Sequence, residues 1–313
     1  MNRQEFLRQT LLGAGGLALT QTPLSTWAKN HETLANKGFT LLHTNDVHSR
    51  LDPFPNDGSA NAGKGGAAAR YELIQSIRKN NPNVLLVDAG DIFQGTPYFN
   101  FYKGKPEMHA MSLMGYEAAT LGNHDFDLGM DNLALQMQYA DFEFVNCNYN
   151  FYNTPLENKV IPYHILHKGG IKIGITGVGI ELKGLVPDAL CAGVEYTDPI
   201  QAANETAHFL KTKKRCDWVL CLSHLGFDYQ NQKVSDKVLA AESEHIDWII
   251  GGHTHTLLQN PVTIKNRKKQ DVGINQVGWG GLYLGRIDIF FNHKKEPAYV
   301  SKKHVVNSKE TSI

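Results

Sequence analysis

Charge of one sign is what this 313-residue chain most plainly lacks: 31 basic residues stand against 31 acidic ones, so no net field draws it to nucleic acid or to an anionic membrane. Nucleic acid is therefore not expected as a partner. Thiol chemistry is thinly supplied as well. The four cysteines, Cys147, Cys191, Cys216 and Cys221, show no C-x-x-C spacing and sit mostly among apolar neighbours, which points to buried free thiols rather than a metal or redox centre. No apolar run is long enough to span a bilayer, so no membrane span is expected. Internal repeats, low-complexity tracts and an interdomain linker are missing too. What is present is apolar material, 42% of residues, enough for a sizeable core. The length suits one large α/β domain or two small ones, and one domain is the simpler expectation.

Residues 1–28 read as an export signal. Arg3 and Arg8 flank a short N-terminal region, Leu11 to Leu19 form a Gly- and Ala-rich apolar run, and Thr26-Trp27-Ala28 offers a small-residue cleavage site. The segment from Asn2 to Arg8 resembles the twin-arginine export motif with Gln4 in place of the second arginine. An exported, periplasmic protein is expected.

From Phe39 onward, short apolar runs end in ligand-type residues and alternate with stretches of helical spacing. Residues 39–43 predict a strand running into Thr44-Asn45-Asp46-Val47-His48. A Gly- and Asn-rich loop over 53–66 precedes a helix over 67–79. The continuous apolar run 84–87 predicts a strand buried on both faces, ending in Asp88-Ala89-Gly90-Asp91. A helix over 107–114 and a strand over 118–121 deliver Gly122-Asn123-His124-Asp125-Phe126-Asp127. There follow a helix over 130–139, a strand over 142–146, and a hairpin turning at Gly169-Gly170. A helix over 199–214 leads to a strand ending in Ser223-His224, and a short helix over 234–241 leads to one ending in Gly251-Gly252-His253-Thr254-His255. Beyond Leu258 the pattern is strand-rich, and a polar tail is expected over 301–313.

Strand ends thus carry Asp46 with His48, Asp91, Asn123 with His124, His224, and His253 with His255. Any one of these suits an ordinary turn. Their recurrence does not, because sites in open α/β sheets form in the crevice outside the carboxyl ends of the strands, where all would converge. Asn offers a neutral oxygen, His can ligate a metal or move a proton, and a nearby carboxylate fixes which ring nitrogen holds that proton. Mixed imidazole, carboxylate and amide donors without thiolate favour Zn²⁺, Mn²⁺, Fe or Co²⁺. The donors outnumber one tetrahedral sphere, so two divalent ions sharing a carboxylate are expected. Such pairs, ~3.5–4 Å apart, activate water and clamp both attacking and leaving oxygens in phosphate-ester hydrolysis.

These blocks resemble those of the calcineurin-like metallophosphoesterases, and in detail the catalytic domain of the 5'-nucleotidase and UDP-sugar hydrolase family, over about residues 39–291. The resemblance implies a four-layered α/β/β/α sandwich with two mixed sheets, the metallo-dependent phosphatase fold, in a catalytic domain over 39–300. It implies one ion held by Asp46, His48, Asp91 and His255 and another by Asp91, Asn123, His224 and His253, with Asp91 bridging. Glutamine stands at the His255 position in some members. His124 is then a residue beside the scissile phosphate, oriented by Asp127 or, at a spacing the sequence cannot separate, Asp125.

The implied activity is phosphomonoester hydrolysis, most naturally of 5'-nucleotides, by attack of a metal-activated water. Alternatives are a UDP-sugar, a 2',3'-cyclic nucleotide or a carrier-bound sulfur ester as substrate, or a non-catalytic metal-binding subunit. The family's C-terminal nucleotide-specificity domain is expected to be absent after Phe291, which makes a separate specificity subunit a candidate partner. Tyr98, Phe99, Phe101 and Tyr102 either line a pocket or pack as a loop.

Overall fold

The computed structural model describes residues 37–231, 233–292 and 296–307. The export signal read over 1–28 lies outside them. In chain order the first half forms β1 (Gly38–Thr44), α1 (Ala67–Arg78), β2 (Val84–Asp88), α2 (Pro97–Tyr102), α3 (Lys105–Met114), β3 (Ala118–Ala119), α4 (Gly129–Met137) and β4 (Glu143–Val145). Next come β5 (Tyr149–Asn150), β6 (Val160–Ile161), β7 (Tyr163–Lys168), β8 (Ile171–Gly179), β9 (Glu195–Tyr196) and α5 (Pro199–Thr212). The last part forms β10 (Trp218–His224), α6 (Asp236–Glu242), β11 (Trp248–Gly251), β12 (Val262–Lys265), β13 (Asp271–Asn275), β14 (Tyr283–Phe291) and β15 (Pro297–Val305).

The period-2 geometry of these strands builds the layers. Leu41 and Leu85 on one sheet and Leu220 and Ile250 on the other face each other and form the core between the two, with Trp218 and Trp248. Their neighbours Leu42 and Leu86 face the other way, against Ile74 of α1, Met108 of α3 and Leu133 of α4. On the second sheet Cys221 and Ile249 face Ala203 and Leu210 of α5 and Leu239 of α6. Strands buried on both faces therefore read as unbroken apolar runs. Two mixed sheets between two helical layers give the expected α/β/β/α sandwich. Local signals agree: Asp198 caps α5, its Oδ1 accepting from Ile200 N at 2.8 Å and Gln201 N at 2.9 Å, with Pro199 as the first helical residue.

One sheet runs β15-β14-β1-β2-β3-β4-β6 and the other β12-β13-β11-β10-β8-β7, while β5 and β9 form a separate ribbon. Within the first sheet β1, β2, β3, β4 and β6 are parallel neighbours, and in the second β8, β10, β11 and β13 are. Parallel pairing brings their carboxyl ends to one rim of the sandwich, and the ligand-type residues sit there.

Two expectations need correction. The strand expected over 118–121 pairs only at Ala118 and Ala119. Beyond them Thr120 N still reaches Asp88 O at 3.1 Å, but the chain is already turning into the site. The stretch from Ser301, expected as a polar tail, continues β15 to Val305 in antiparallel register with β14, and Val306 beyond it is buried. Its lysines belong to an edge strand, where charge guards an unpaired backbone. Cys216 and Cys221 are buried, Cys147 and Cys191 half-buried, and all four are free thiols.

Candidate metal centre

Tight approach of three turns makes the centre possible. A β-carbon on Gly122 would overlap the Asp91 carboxylate, and one on Gly252 would lie 2.8 Å from both Ala89 O and His224 Nδ1. Glycine at those two positions lets the loops after β3 and β11 close on the loop after β2. The ligand-type residues themselves are held in a costly backbone conformation. Asp46, His48, Asp91, His253 and His255 all have left-handed φ, from 49° to 71°. For non-glycine residues this costs roughly 1–3 kcal/mol each and persists where surrounding structure enforces it, typically at functional sites.

The structure gathers the predicted residues into two neighbouring groups. Asp46, His48 and His255 form one, Asp91, His224 and His253 the other, with ligating atoms within 4.8 Å of one another in each. Two oxygens face both: Asp91 Oδ2 lies 3.1 Å from His224 Nε2 and 3.9 Å from His48 Nε2, and Asp46 Oδ1 lies 3.5 Å from His255 Nε2 and 3.9 Å from His224 Nε2. Asn123 joins the second group, its Oδ1 2.9 Å from His253 Nδ1.

Hydrogen bonds fix how the rings present themselves. His224 Nδ1 donates to Ala89 O at 2.7 Å, so its Nε2, fully buried and without a hydrogen-bond partner, turns toward Asp91. His48 Nδ1 donates to Phe93 O at 3.3 Å, leaving Nε2 3.0 Å from His255 Nε2. Lone pairs that converge on one another in this way call for a cation among them.

The charge balance says the same. Burial pushes the Asp46 carboxyl up to about 8. Burial disfavours charge on His224, yet the Asp91 carboxylate outweighs it and lifts the ring to about 10, while Asp91, against its own burial, is held below the usual carboxylate range by His224. Buried carboxylates competing for one proton are the setting in which a divalent ion replaces that proton. The oxygen and imidazole donors fit the divalent ions expected of them.

His124 stands apart from both groups. Its Nδ1 lies 2.9 Å from Asp127 Oδ2, its side chain is 39% exposed, and its ring packs edge-on to His48 with centroids 5.4 Å apart. The hydrogen bond to Asp127 raises its proton affinity against partial burial. Asp125 does something different: buried, it accepts from the backbone N–H groups of Asp91, Ile92, Phe93 and Gly122 at 2.8–3.1 Å. It ties the loop after β3 to the loop after β2.

Several residues that sequence patterns did not single out complete the frame. Gln276, just past β13, donates to Gly252 O at 2.6 Å and accepts from Thr256 N, gripping the turn that carries His253 and His255. Asn45 donates to Asp46 Oδ2 and to Gly278 O, both at 2.6 Å, and accepts from Val277 N at 3.0 Å. Gly280 N donates to Asp46 O at 2.7 Å. Trp279 stacks on His255, with ring centroids 5.7 Å apart and planes 11° apart. The segment after β13 thus acts as a clasp over the two turns that carry Asp46 and His253 with His255. Among Tyr98, Phe99, Phe101 and Tyr102, only Phe99 is core, stacked on Phe93.

The family model for calcineurin-like phosphoesterases matches residues 39–257. The 5'-nucleotidase of Rattus norvegicus is 32% identical over 87% of this chain and 48% of its own length. A 5'-nucleotidase precursor from Thermus thermophilus superposes with a TM-score of 0.77 at 32% identity, covering 86% of this chain and 55% of that one. The NAD nucleotidase of Haemophilus influenzae gives 0.75 at 26% identity, covering 86% and 50%. The chain spans about half the length of the curated relatives it matches.

Proposed function

The chain belongs to the calcineurin-like phosphoesterase family, and on that ground we propose that it hydrolyses phosphomonoesters, 5'-nucleotides foremost, with two divalent ions. One ion is assigned to Asp46, His48, Asp91 and His255, the other to Asp91, Asn123, His224 and His253. The observation that carries this reading is the adjacency of two three-residue metal groups that share the reach of Asp91 Oδ2, with a partly exposed His124–Asp127 pair beside them. Two 5'-nucleotidases at 32% identity favour nucleotides within the class.

When bound, the ions supply Lewis acidity, lowering the proton affinity of water and neutralising phosphoryl oxygens. The chain's own residues do the rest. Asp127 accepts from His124 Nδ1 and thereby leaves Nε2 to face the substrate. From there the imidazolium stabilises charge growing on the phosphoryl group and gives its proton to the leaving alkoxide. Asp125 and the clasp after β13 hold the ligand-bearing loops in register. The signal over residues 1–28 adds that this chemistry takes place after export; among the described residues no helix is long and apolar enough to cross a membrane.

The test is an assay of the chain loaded with Mn²⁺ or Zn²⁺ against AMP, UDP-glucose, a cyclic nucleotide and an aryl phosphate. Phosphate release from AMP that a chelator abolishes and added metal restores is expected. Faster turnover of UDP-glucose or the cyclic nucleotide would redirect the substrate assignment. A metal-loaded chain inert on all four would favour a non-catalytic metal-binding subunit.

A further inference from the structure

A cleft of about 420 Å³ opens along the chain that follows the His48 loop, lined among others by Arg50, Asp52, Thr96, Tyr98, Phe101 and Tyr102. Its size falls in the range of small-molecule sites. We infer that this cleft seats the nucleobase of a nucleotide whose phosphate lies at the metal centre. The inference rests on the phosphoesterase reading above and names the part of the substrate that this chain's own surface recognises.

Two routes connect the cleft to the centre. Along the backbone, Ser49 and Arg50 directly follow His48, and Thr96 Oγ1 donates to Ser49 O at 2.9 Å, binding the start of α2 to the His48 loop. Through side chains, the rings form a continuous series. Trp279 stacks on His255, Phe54 meets Trp279 edge-on with centroids 5.5 Å apart, and the Arg50 guanidinium lies 4.2 Å over the Phe54 ring. The series of contacts therefore runs from His255 to Arg50, a residue of the cleft wall.

The cleft's chemistry suits a flat π-system with a polar edge. The six residues of α2 split their aromatics, burying Phe99 while leaving Phe101 77% and Tyr102 59% exposed. Tyr98 and Tyr102 lie with centroids 6.2 Å apart and planes 31° apart, and the Tyr98 hydroxyl donates to Asp52 Oδ2 at 2.8 Å, which sets the ring's orientation. Arg50 lines the cleft with its guanidinium held over the Phe54 ring, and Asp52 and the Tyr98 hydroxyl add a polar edge. Aromatic faces with few fixed polar groups accept any base, because every base has a π-face. Recognition here is therefore of a base as such rather than of one base.

Two measurements on the metal-loaded full chain test this. Adenosine, which carries the base without the phosphate, should bind by calorimetry, and a Tyr98→Ala/Tyr102→Ala double variant should bind it about tenfold more weakly. AMP should be cleaved with a higher kcat/KM than ribose 5-phosphate, which keeps the ester and lacks the base. The double variant should shrink that preference about tenfold through KM for AMP. Phe101→Ala, a substitution on the exposed face of the same helix, should shift both readings in the same direction and covers the case of a double variant that does not fold. Absence of adenosine binding by the unaltered chain, or equal losses on AMP and ribose 5-phosphate, would overturn the inference. A chain that binds adenosine through these residues yet cleaves neither ester would overturn the phosphoesterase reading and leave the cleft as a nucleoside site.

Discussion

At His124 two carboxylates compete for one role, and geometry divides them. His124 to Phe126 form a single 3-10 turn, which brings Asp127 to 2.9 Å from the ring and sends Asp125 inward to four backbone N–H groups. Substituting His124 with Ala should lower turnover by roughly 10²–10⁴ while the ions stay bound, the size expected for a positioned acid–base group. Turnover alongside metal content by mass spectrometry checks it; near-normal turnover at full metal would sink the role. Asp125→Ala should behave quite differently. It strips several charge-assisted hydrogen bonds from buried donors, so a stability loss of roughly 3 kcal/mol or more is expected in denaturant melts, with metal lost as a consequence. Sequence spacing made both aspartates reachable from His124, at i+1 and i+3. Only the three-residue period of that short turn separates them, setting i+3 over the ring and i+1 away from it, and nothing in Gly-Asn-His-Asp-Phe-Asp announces it.

Turns after strands were the legible elements, because each ligand block ends an apolar run and parallel pairing delivers those ends to one rim. The glycines in them were visible as residues but not as contacts. Gly122→Ala would drive a methyl group into the Asp91 carboxylate, so this smallest of substitutions should cost the centre at least one ion, read as metal stoichiometry after dialysis. Two ions retained at full occupancy would contradict it. The clasp after β13 was not legible. Gln276 reaches Gly252 because β13 lies parallel beside β11 in the second sheet, a pairing across some twenty residues of unremarkable sequence. Residues that orient ligands typically matter to metal affinity by about 10–100-fold. Gln276→Ala should therefore weaken metal binding by that order in a competition titration, with the melting transition still cooperative. The edge strand β15 escaped notice for a related reason: Ser301 to His304 are polar as edge-strand residues are, and composition alone does not separate an edge from a tail.

Across the whole molecule, two sheets are pressed face to face, and strand alternation decides what meets between them. Leu41 and His43 share the inner face of β1, two residues apart. Leu41 joins the inter-sheet apolar core, whereas His43 brings an imidazole into it, its ring over Gly285 of β14 and its Nε2 2.9 Å from Asn275 Nδ2 of the opposite sheet. An amide Nδ2 can only donate, so Nε2 accepts and the ring is neutral. Full burial, with no neighbouring carboxylate to offset it, lowers its pKa from 6.5 to about 3. Above pH 6.5 neither the folded nor the unfolded chain protonates this ring, and stability is unaffected. Between 6.5 and 3 the unfolded chain binds a proton that the folded chain refuses, so stability falls as pH falls, by about 1.4 kcal/mol per unit. Other buried groups and the metal centre also respond to acid, so the contribution is read as a difference. Denaturant unfolding of the unaltered chain and of His43→Gln, which keeps an acceptor for Asn275 but does not titrate, should give a gap constant above about pH 6.5. Below it the gap should move against the unaltered chain by about that slope. A gap that stays flat from about pH 7.5 to about pH 5 would mean that the two sheets admit a proton at their interface, and that the layer between them is wetter than its packing implies.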